Sequence, residues 1–397
     1  MKYLMGGYYG WQNVGDDLLL YVTIAGVARV DGDAEFTVVS SVPVEIPPGT
    51  KVTLTSGSRR FETTRQLLHN DVWLFGGGGL LQDRSERSLQ SLGYLRHRAW
   101  MAKMFRRKIV ALGLGIGPLV TAEGRKASRD FLYAADLVTV RDQASLDLAL
   151  AIAPGCRVEL AGDLVPLLPE MPAHRADPPD GPRAYKTLGV SLLAYHASLG
   201  GDTGKDLEMA ACVAEALNQV LRQHPDWEVK LFEFFSGSSE YGDAVVLRHL
   251  EKQLAFPDRV HYRPYRGDGF AVYRELAECE ALFGMRFHSC LLSYLAEVPC
   301  LMINYHPKCS ALARILAMSD EAVVDLGALG DSPQLYDRLH SLLEDGARFR
   351  PPASARRLSG LAARNLELFA DWLGARGNQA PRRNREANKL RPVRRRP

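Results

Sequence analysis

"ALFGMRFHSCLLSYLAEVPCLMINYHPK", residues 281–308, is the stretch whose reading sets the architecture. Two short apolar runs, ALFGMRF and CLMINYH, have strand character, and the apolar segment between them has helical length. A strand that leads through a helix to another strand makes a parallel pair. The same stretch carries Arg286, His288, His306 and Lys308 at the two edges of an otherwise apolar unit, and Glu297 is the only acid between Arg286 and Lys308. Local ion pairing therefore accounts for at most one of the four groups, and the stretch reads as an anion site.

Working outward, short apolar runs alternate with helical patterns along the whole chain, the pattern of parallel sheets with crossover helices. KYLMGGYY, FTVVSS, KVTLTS, DVWLFG, KIVALG, LVTVRD and RVELAG are candidate strands of the first half. Leu89, Leu92, Leu95, Ala99, Ala102 and Phe105 recur at three- and four-residue spacing and read as one buried helix face. Residues 169–187 hold five prolines and no periodicity, the best linker in the chain. After it come TLGVSLLA, a helix through Met209, Val213, Leu217, Val220 and Leu221 that stops before Pro225, then EVKLFEFF, VHYRPY, the opening stretch and AVVDLG. The expected fold is α/β, with two doubly wound Rossmann-like domains facing across a cleft. The expected boundaries are 1–170 for the first domain, 171–187 for the proline-rich linker and 188–345 for the second domain. C-terminal helices over 346–374 are expected to pack back on the first domain, and 375–397 to be a basic disordered tail.

Composition narrows the function. The chain of 397 residues is 46% hydrophobic and 24% charged, as in ordinary globular proteins. Its formal charge of +3 comes from the end: residues 376–397 carry nine Lys or Arg and one Glu, and without them 40 basic face 45 acidic residues, leaving a body of about −5. Such a body is no nucleic-acid binder by charge. The tail, with three prolines and almost no apolar residues, reads as a solvated disordered end. Its functional reading is attraction to an anionic membrane surface, at about 1 kcal/mol per basic residue. Six cysteines without C-x-x-C pairs read as free thiols of a reducing cytoplasm. No signal peptide or membrane span is expected, and no His, Asp or Cys cluster has metal-ligand spacing.

Ligands of doubly wound sheets bind beyond the carboxyl ends of the strands, so strand ends are where chemistry is sought. GGYYGWQNVGDDLLLY, residues 6–21, is a strand, a glycine-rich turn and a helix. Asp16 and Asp17 at the helix start compete with any phosphate, leaving two readings: Asp16 as helix cap, or carboxylates that contact sugar hydroxyls. FGGGGLLQDRSERS, residues 75–88, ends a strand in four glycines, too many for one tight turn. A close ligand or domain approach is expected there, with Gln82 and Asp83 as hydrogen-bonding groups. LGLGIGP, residues 112–118, leaves one sheet face without side chains, either for helix packing or for a ligand. Arg141 emerges from VTVRDQAS, and either pairs with an acid such as Asp142 or clamps an anion through two parallel hydrogen bonds.

As a set, GYYG…N.GDD, GGGGLLQD, GLGIGP, VTVRD..S, GDLV, RFHS and NYHPK occur across residues 7–308 in the order in which they stand in the polysaccharide pyruvyl transferases, which the chain resembles. The resemblance implies a GT-B-like fold, phosphoenolpyruvate as donor co-substrate without a further cofactor, and a carbohydrate acceptor that gains a pyruvate ketal. It carries Arg141, His288 and Lys308 over as donor-site and catalytic residues, with Arg286 beside them. The second domain then holds the donor and the first the acceptor, with Tyr9, Asn13, Asp16, Asp17, Gly78, Gly79, Gln82 and Asp83 as acceptor candidates. Two positions depart from the family: Glu297 stands where glycine is frequent, and the basic tail has no counterpart.

Phosphoenolpyruvate carries close to three negative charges, and burying it requires fixed cations, since an unpaired buried charge costs several kcal/mol. His288 is the expected general acid toward the methylene carbon, held charged near pH 7 by the neighbouring phosphate. No metal is required by this scheme. The rival readings are a GT-B glycosyltransferase using a nucleotide sugar and an inactive scaffold of a polysaccharide assembly complex. The expected location is the cytoplasm, with peripheral contact at the inner face of the plasma membrane through the tail and a lipid-linked oligosaccharide as acceptor.

Overall fold

Apolar runs of three to ten residues become strands of two parallel sheets in a computed structural model that describes residues 1–40, 42–56, 59–171, 184–330, 332–352 and 355–377. The first sheet is built from β1 (Lys2–Gly6), β2 (Glu35–Val39), β3 (Lys51–Thr55), β4 (Val72–Leu81), β5 (Lys108–Ile116), β6 (Leu137–Val140) and β7 (Val158–Leu160). Its helices are α1 (Val14–Val30), α2 (Arg59–His69), α3 (Glu86–Met104), α4 (Ala122–Ala134) and α5 (Gln143–Ile152). The strand order β3-β2-β1-β4-β5-β6-β7 reverses between β1 and β4, so the chain leaves these two strands in opposite directions and opens a crevice at their carboxyl ends.

The second sheet comprises β8 (Lys186–Ser191), β9 (Trp227–Phe232), β10 (Val260–Arg263), β11 (Ala281–Gly284), β12 (Cys300–Asn304) and β13 (Val323–Asp325), in the order β10-β9-β8-β11-β12-β13. Helices α6 (Tyr195–Ser198), α7 (Thr203–Gln223), α8 (Ala244–Gln253), α9 (Gly269–Ala277), α10 (Phe287–Leu295), α11 (Pro307–Leu316) and α12 (Ser332–Glu344) connect it. The opening stretch forms β11-α10-β12, with Leu282 opposite Cys300 and Gly284 opposite Met302 in parallel register. The order reverses between β8 and β11, which puts Arg286 at the second crevice. The final helix, α13 (Ala355–Gly377), returns to the first half and packs on α1, β5 and β6. There Asn365 donates to the Gly162 carbonyl at 2.9 Å and pairs with Thr139.

Burial follows the apolar pattern. Met209, Val213, Leu217, Val220 and Leu221 of α7 are all buried, each such side chain contributing about 1.5–3 kcal/mol. On α3, Leu92, Leu95, Ala99 and Ala102 are buried as the spacing predicts, but Phe105 is the C-cap and is exposed. The four-glycine run also departs from expectation. β4 continues to Leu81, so Gly76–Gly79 lie within a strand and do not end it, whereas Gly113 and Gly115 lie in β5 as the bare sheet face requires. A side chain at Gly76 would overlap Thr23 of α1, and one at Gly77 would meet Leu19 at 3.0 Å. Half of the four-glycine run thus serves helix-on-strand packing.

The linker expectation falls mostly on residues 172–183 and the tail on 378–397, outside the described residues; Lys186 and Thr187, read as linker, already belong to β8. All six cysteines are unbridged. Among the described residues no helix is long and apolar enough to cross a membrane. The halves meet through the turn before α1: Val14 N–H donates to the Phe234 carbonyl at 2.9 Å, and Ser236 N–H to that of Gln12 at 3.0 Å.

Candidate active site

A cleft of about 510 Å³ lies where the two switch points face each other. It is lined from the first half by Asn13, Asp16, Gly78, Gly79, Gln82 and Arg141, and from the second by Arg286, His288, His306 and Lys308. The structure therefore brings all four donor-site candidates and five of the eight acceptor candidates to one cavity.

Each cation is placed by a local device. Arg141 follows β6 and enters over Gly115, whose missing side chain leaves room for the guanidinium at 2.8 Å. It lies 3.3 Å from Asp163, 3.6 Å from Asp142 and 4.5 Å above the Phe287 ring. Asp142 also caps α5 by accepting from Ser145 N–H at 2.8 Å, so of the readings of Arg141 its pairing with an acid is present. Arg286 is the N-cap residue of α10, and its Nε lies 3.0 Å from Asp243, a fully buried carboxylate that also accepts from Phe234 N–H at 2.9 Å. Lys308 opens α11 beneath the His306 cap and lies 5.2 Å from the Tyr305 ring centre, with no carboxylate in salt-bridge reach among the described residues. His288 crosses to the first half: any side chain at Gly15 would overlap its imidazole.

This corrects the expectation that Arg286, His288, His306 and Lys308 are four surplus cations. Asp243, 43 residues away, holds Arg286, and Asp163, which holds Arg141, also lies 3.9 Å from His288. Burial drives both histidines to the neutral form: it takes His288 down to about 4, with Arg141, Lys308 and Arg286 adding to the effect and Asp163 opposing it, and His306 to about 3. Burial, then repulsion from Arg141 and Arg286, lowers Lys308 to about 8. Burial and the neighbouring Asp17 push Asp16 up to about 7 against the pull of Lys308, Arg286 and Arg141. Burial thus favours the neutral imidazole at His288, whereas the expectation from sequence was a charged one beside a phosphate.

Two buried nitrogens in the cleft lack hydrogen-bond partners among the described residues: His288 Nε2, with Asp163 at 3.9 Å, and Arg141 Nε. Leaving such a group unpaired costs about 1–3 kcal/mol. Arg141 Nε keeps Asp142 at 3.6 Å as an ion pair without a hydrogen bond.

Three acceptor candidates have other work. Tyr9 is buried and its hydroxyl accepts from Gly76 N–H at 3.0 Å. Asp17 accepts from Gly10 N–H at 3.1 Å and from the Tyr265 hydroxyl at 2.7 Å, tying the halves together. Asp83 accepts from Val120 and Thr121 N–H at 2.6 and 2.8 Å, fixing the turn before α4. The cap of α1 is Asn13, accepting from Gly15 N–H at 3.0 Å, which frees Asp16 from that role. Side chains that sequence reasoning passed over complete the walls: Phe235 and Tyr241, stacked at 5.8 Å, and Ser88 and Ser91 of α3. Asp163 stands in the quoted GDLV, a signal that was present; Asp243 had none.

Away from the cleft, three side chains of metal-ligating type cluster. His224, His340 and Glu344 bring one donor atom each within 4.8 Å of one another, across 116 residues for the two histidines. The spacing expected of ligands escaped sequence reading because it is tertiary. The 2.9 Å between His224 Nε2 and His340 Nδ1 is a hydrogen-bond distance. Two nitrogens on one tetrahedral zinc, each about 2.0–2.1 Å from it, sit about 3.3 Å apart. The pair therefore shares a proton and joins α7 to α12.

Comparison with known proteins follows this geometry. A family model described as polysaccharide pyruvyl transferase matches residues 13–307. Among solved structures, the chain is similar to S. aureus MnaA in a UDP co-structure, with TM-score 0.62 and 10% identity over 94% of this chain and 96% of that one. It is also similar to Anabaena HepE in complex with UDP and glucose, with TM-score 0.53 and 14% identity over 96% and 100%. The UDP-GlcNAc 2-epimerase of Methanocaldococcus jannaschii gives TM-score 0.57 and 9% identity over 93% and 99%. At these identities the likeness is one of fold: two facing α/β halves of the GT-B type.

Proposed function

Because the chain belongs to the polysaccharide pyruvyl transferase family, we propose that it moves pyruvate from phosphoenolpyruvate to a sugar of a polysaccharide or its lipid-linked precursor, closing a ketal. The observation that carries this reading is the meeting of Arg141 from one half with Arg286, His288 and Lys308 from the other in one cleft, where Lys308 has no carboxylate in salt-bridge reach among the described residues. A small polyanion fits that set. The helices α10 and α11 add their positive N-terminal ends, with no acid in either first turn.

In this reading the donor phosphate reverses the local field at His288, so binding brings a proton to the imidazole. His288 passes that proton to the methylene carbon, making it a methyl group and the central carbon an oxocarbenium. One sugar hydroxyl adds to this carbon and loses its proton to Asp16, whose raised pKa suits a base near neutral pH. The bond between the central carbon and the bridging phosphate oxygen then breaks, and phosphate leaves in the monohydrogen form with the proton that Asp16 had taken. A second hydroxyl closes the ring and returns its proton to His288. Two hydroxyl protons are lost, one to the new methyl group and one to phosphate, so the step balances. Phe235 and Tyr241 offer an aromatic face for the acceptor sugar, and the hydroxyls of Ser88 and Ser91 face the same space.

The test is a donor comparison. Phosphoenolpyruvate raises the melting temperature of the protein, UDP-sugars do not, and phosphate release accompanies a mass gain on lipid-linked oligosaccharide of one pyruvate less one water. Stabilisation by a UDP-sugar alone, together with glycosyl transfer, would establish the nucleotide-sugar reading instead.

A further inference from the structure

Residues 87–121 contain seven Lys or Arg and no Asp or Glu. The stretch runs from the cleft, where Ser88 and Ser91 of α3 line the wall, to the outer end of the same helix. At that end Trp100 and Met104 are each 58% exposed and Phe105 is 41% exposed. His97, Trp100 and Met104 follow one another at helical spacing on the outward face, with the His97 and Trp100 rings stacked at 5.9 Å. Leu68 of α2 joins them, because Arg107 donates to its carbonyl at 2.6 Å and it too is exposed. Lys103 and Lys108 share Asp136, and Arg107 lies 4.0 Å from Asp71, so cations outnumber acids across the face. Arg106 is exposed at the turn itself.

We propose that this face, the C-terminal end of α3 with the turn after it, docks on an anionic membrane surface. Large apolar side chains ringed by cations are what an interfacial helix presents: the aromatic and thioether groups enter the headgroup boundary while Lys and Arg stay among phosphates. A protein partner would need acids of its own for Arg106 and for the excess charge of Lys103 and Lys108 over Asp136, whereas a phospholipid surface offers phosphates wherever the face lands. The docking stands on this surface alone; its use, to deliver a lipid-linked acceptor, rests on the function proposed above. The helix supplies a ruler for that use. Ser88 and Met104 are sixteen residues apart, about 24 Å along α3 at 1.5 Å per residue. A sugar that reaches the cleft from a docked membrane is therefore several units from its lipid.

Flotation of the full chain with vesicles tests the assignment without measuring activity. The wild type binds vesicles containing phosphatidylglycerol and leaves pure phosphatidylcholine vesicles. The Trp100→Ser, Met104→Ser, Phe105→Ser triple variant loses binding at least about tenfold, with an unchanged melting temperature and unchanged turnover of a water-soluble acceptor fragment. Bromine-labelled acyl chains quench wild-type tryptophan fluorescence, and Trp100→Phe removes that quenching, which reads docking without relying on the triple variant. Equal binding by the triple variant, quenching that persists in Trp100→Phe, or loss of binding through Arg394→Gln, Arg395→Gln and Arg396→Gln in the tail alone would each overturn it. So would a dimer in vesicle-free solution that the triple variant dissolves, since a second copy would then be the occupant.

Discussion

The two walls of the cleft use the same device to opposite ends. On the first wall α1 points its N-terminus at the cavity, but Asn13 caps it and Asp16 and Asp17 occupy its first turn, so the positive helix end is answered from within. On the second wall α10 and α11 also begin at the cavity, with Arg286 and His306 at their caps and no acid in either first turn. The helix end on the first wall carries its own carboxylates; the two on the second wall carry none. The difference teaches that helix ends alone do not make an anion site. What decides is whether the chain spends its own carboxylates on them.

The sharpest way to break this contrast is at His288. His288→Ala is expected to lower kcat by about 10²–10⁴ while phosphoenolpyruvate binding remains measurable. Calorimetry in buffers of different ionisation enthalpy should show the wild type taking up close to one proton per donor bound at neutral pH, and the variant none; phosphate release at the wild-type rate would remove the acid role.

Asp16 tests the other wall. A base must be ionised to act, so turnover rises with pH through about 7, the pH to which burial has raised this carboxyl. Asp16→Asn is expected to lower kcat by about 10² and to erase that rising limb, leaving donor KM unchanged; a persisting limb assigns the base elsewhere.

A smaller effect comes from Arg141→Lys, which keeps the charge and loses the fork over Phe287 and Asp163. The donor KM is expected to rise by about tenfold, the loss of one charge-assisted hydrogen bond. An unchanged KM would show that charge alone, without direction, suffices on that wall.

The smallest concerns the end of α10 and leaves both walls intact. Glu297 sits at φ 58°, the left-handed region that favours glycine. Glu297→Gly is expected to stabilise the fold by about 1 kcal/mol in denaturant unfolding without changing kinetics.

The fold was legible because alternation is local: each strand-helix-strand unit, such as residues 281–304, declares its parallel pairing by itself. Strand ends were less so. DVWLFG was read as stopping at Gly76, whereas α1 lies on the glycines and lets β4 run to Leu81. At the site, Arg141, Arg286, His288 and Lys308 were readable as cations at strand ends, but their charge balance was not. Asp243 is 43 residues from Arg286 and Asp163 is 22 from Arg141, separations that only the packed sheets close. Asp17 illustrates the same limit, since it sits beside Asp16 yet bonds Tyr265, 248 positions on. Adjacent acids of like type differ in role because successive helical residues face different neighbours.

The returning helix α13 carries a consequence for how the protein is made. Asn365 fills the groove formed by Gly113, Thr139 and Gly162, 203 positions after the last of these. A ribosome adding 5–20 residues per second reaches it roughly 10–40 s after the first sheet has emerged. For that interval the nascent first half waits with an open seam, completed only once the second half has been made.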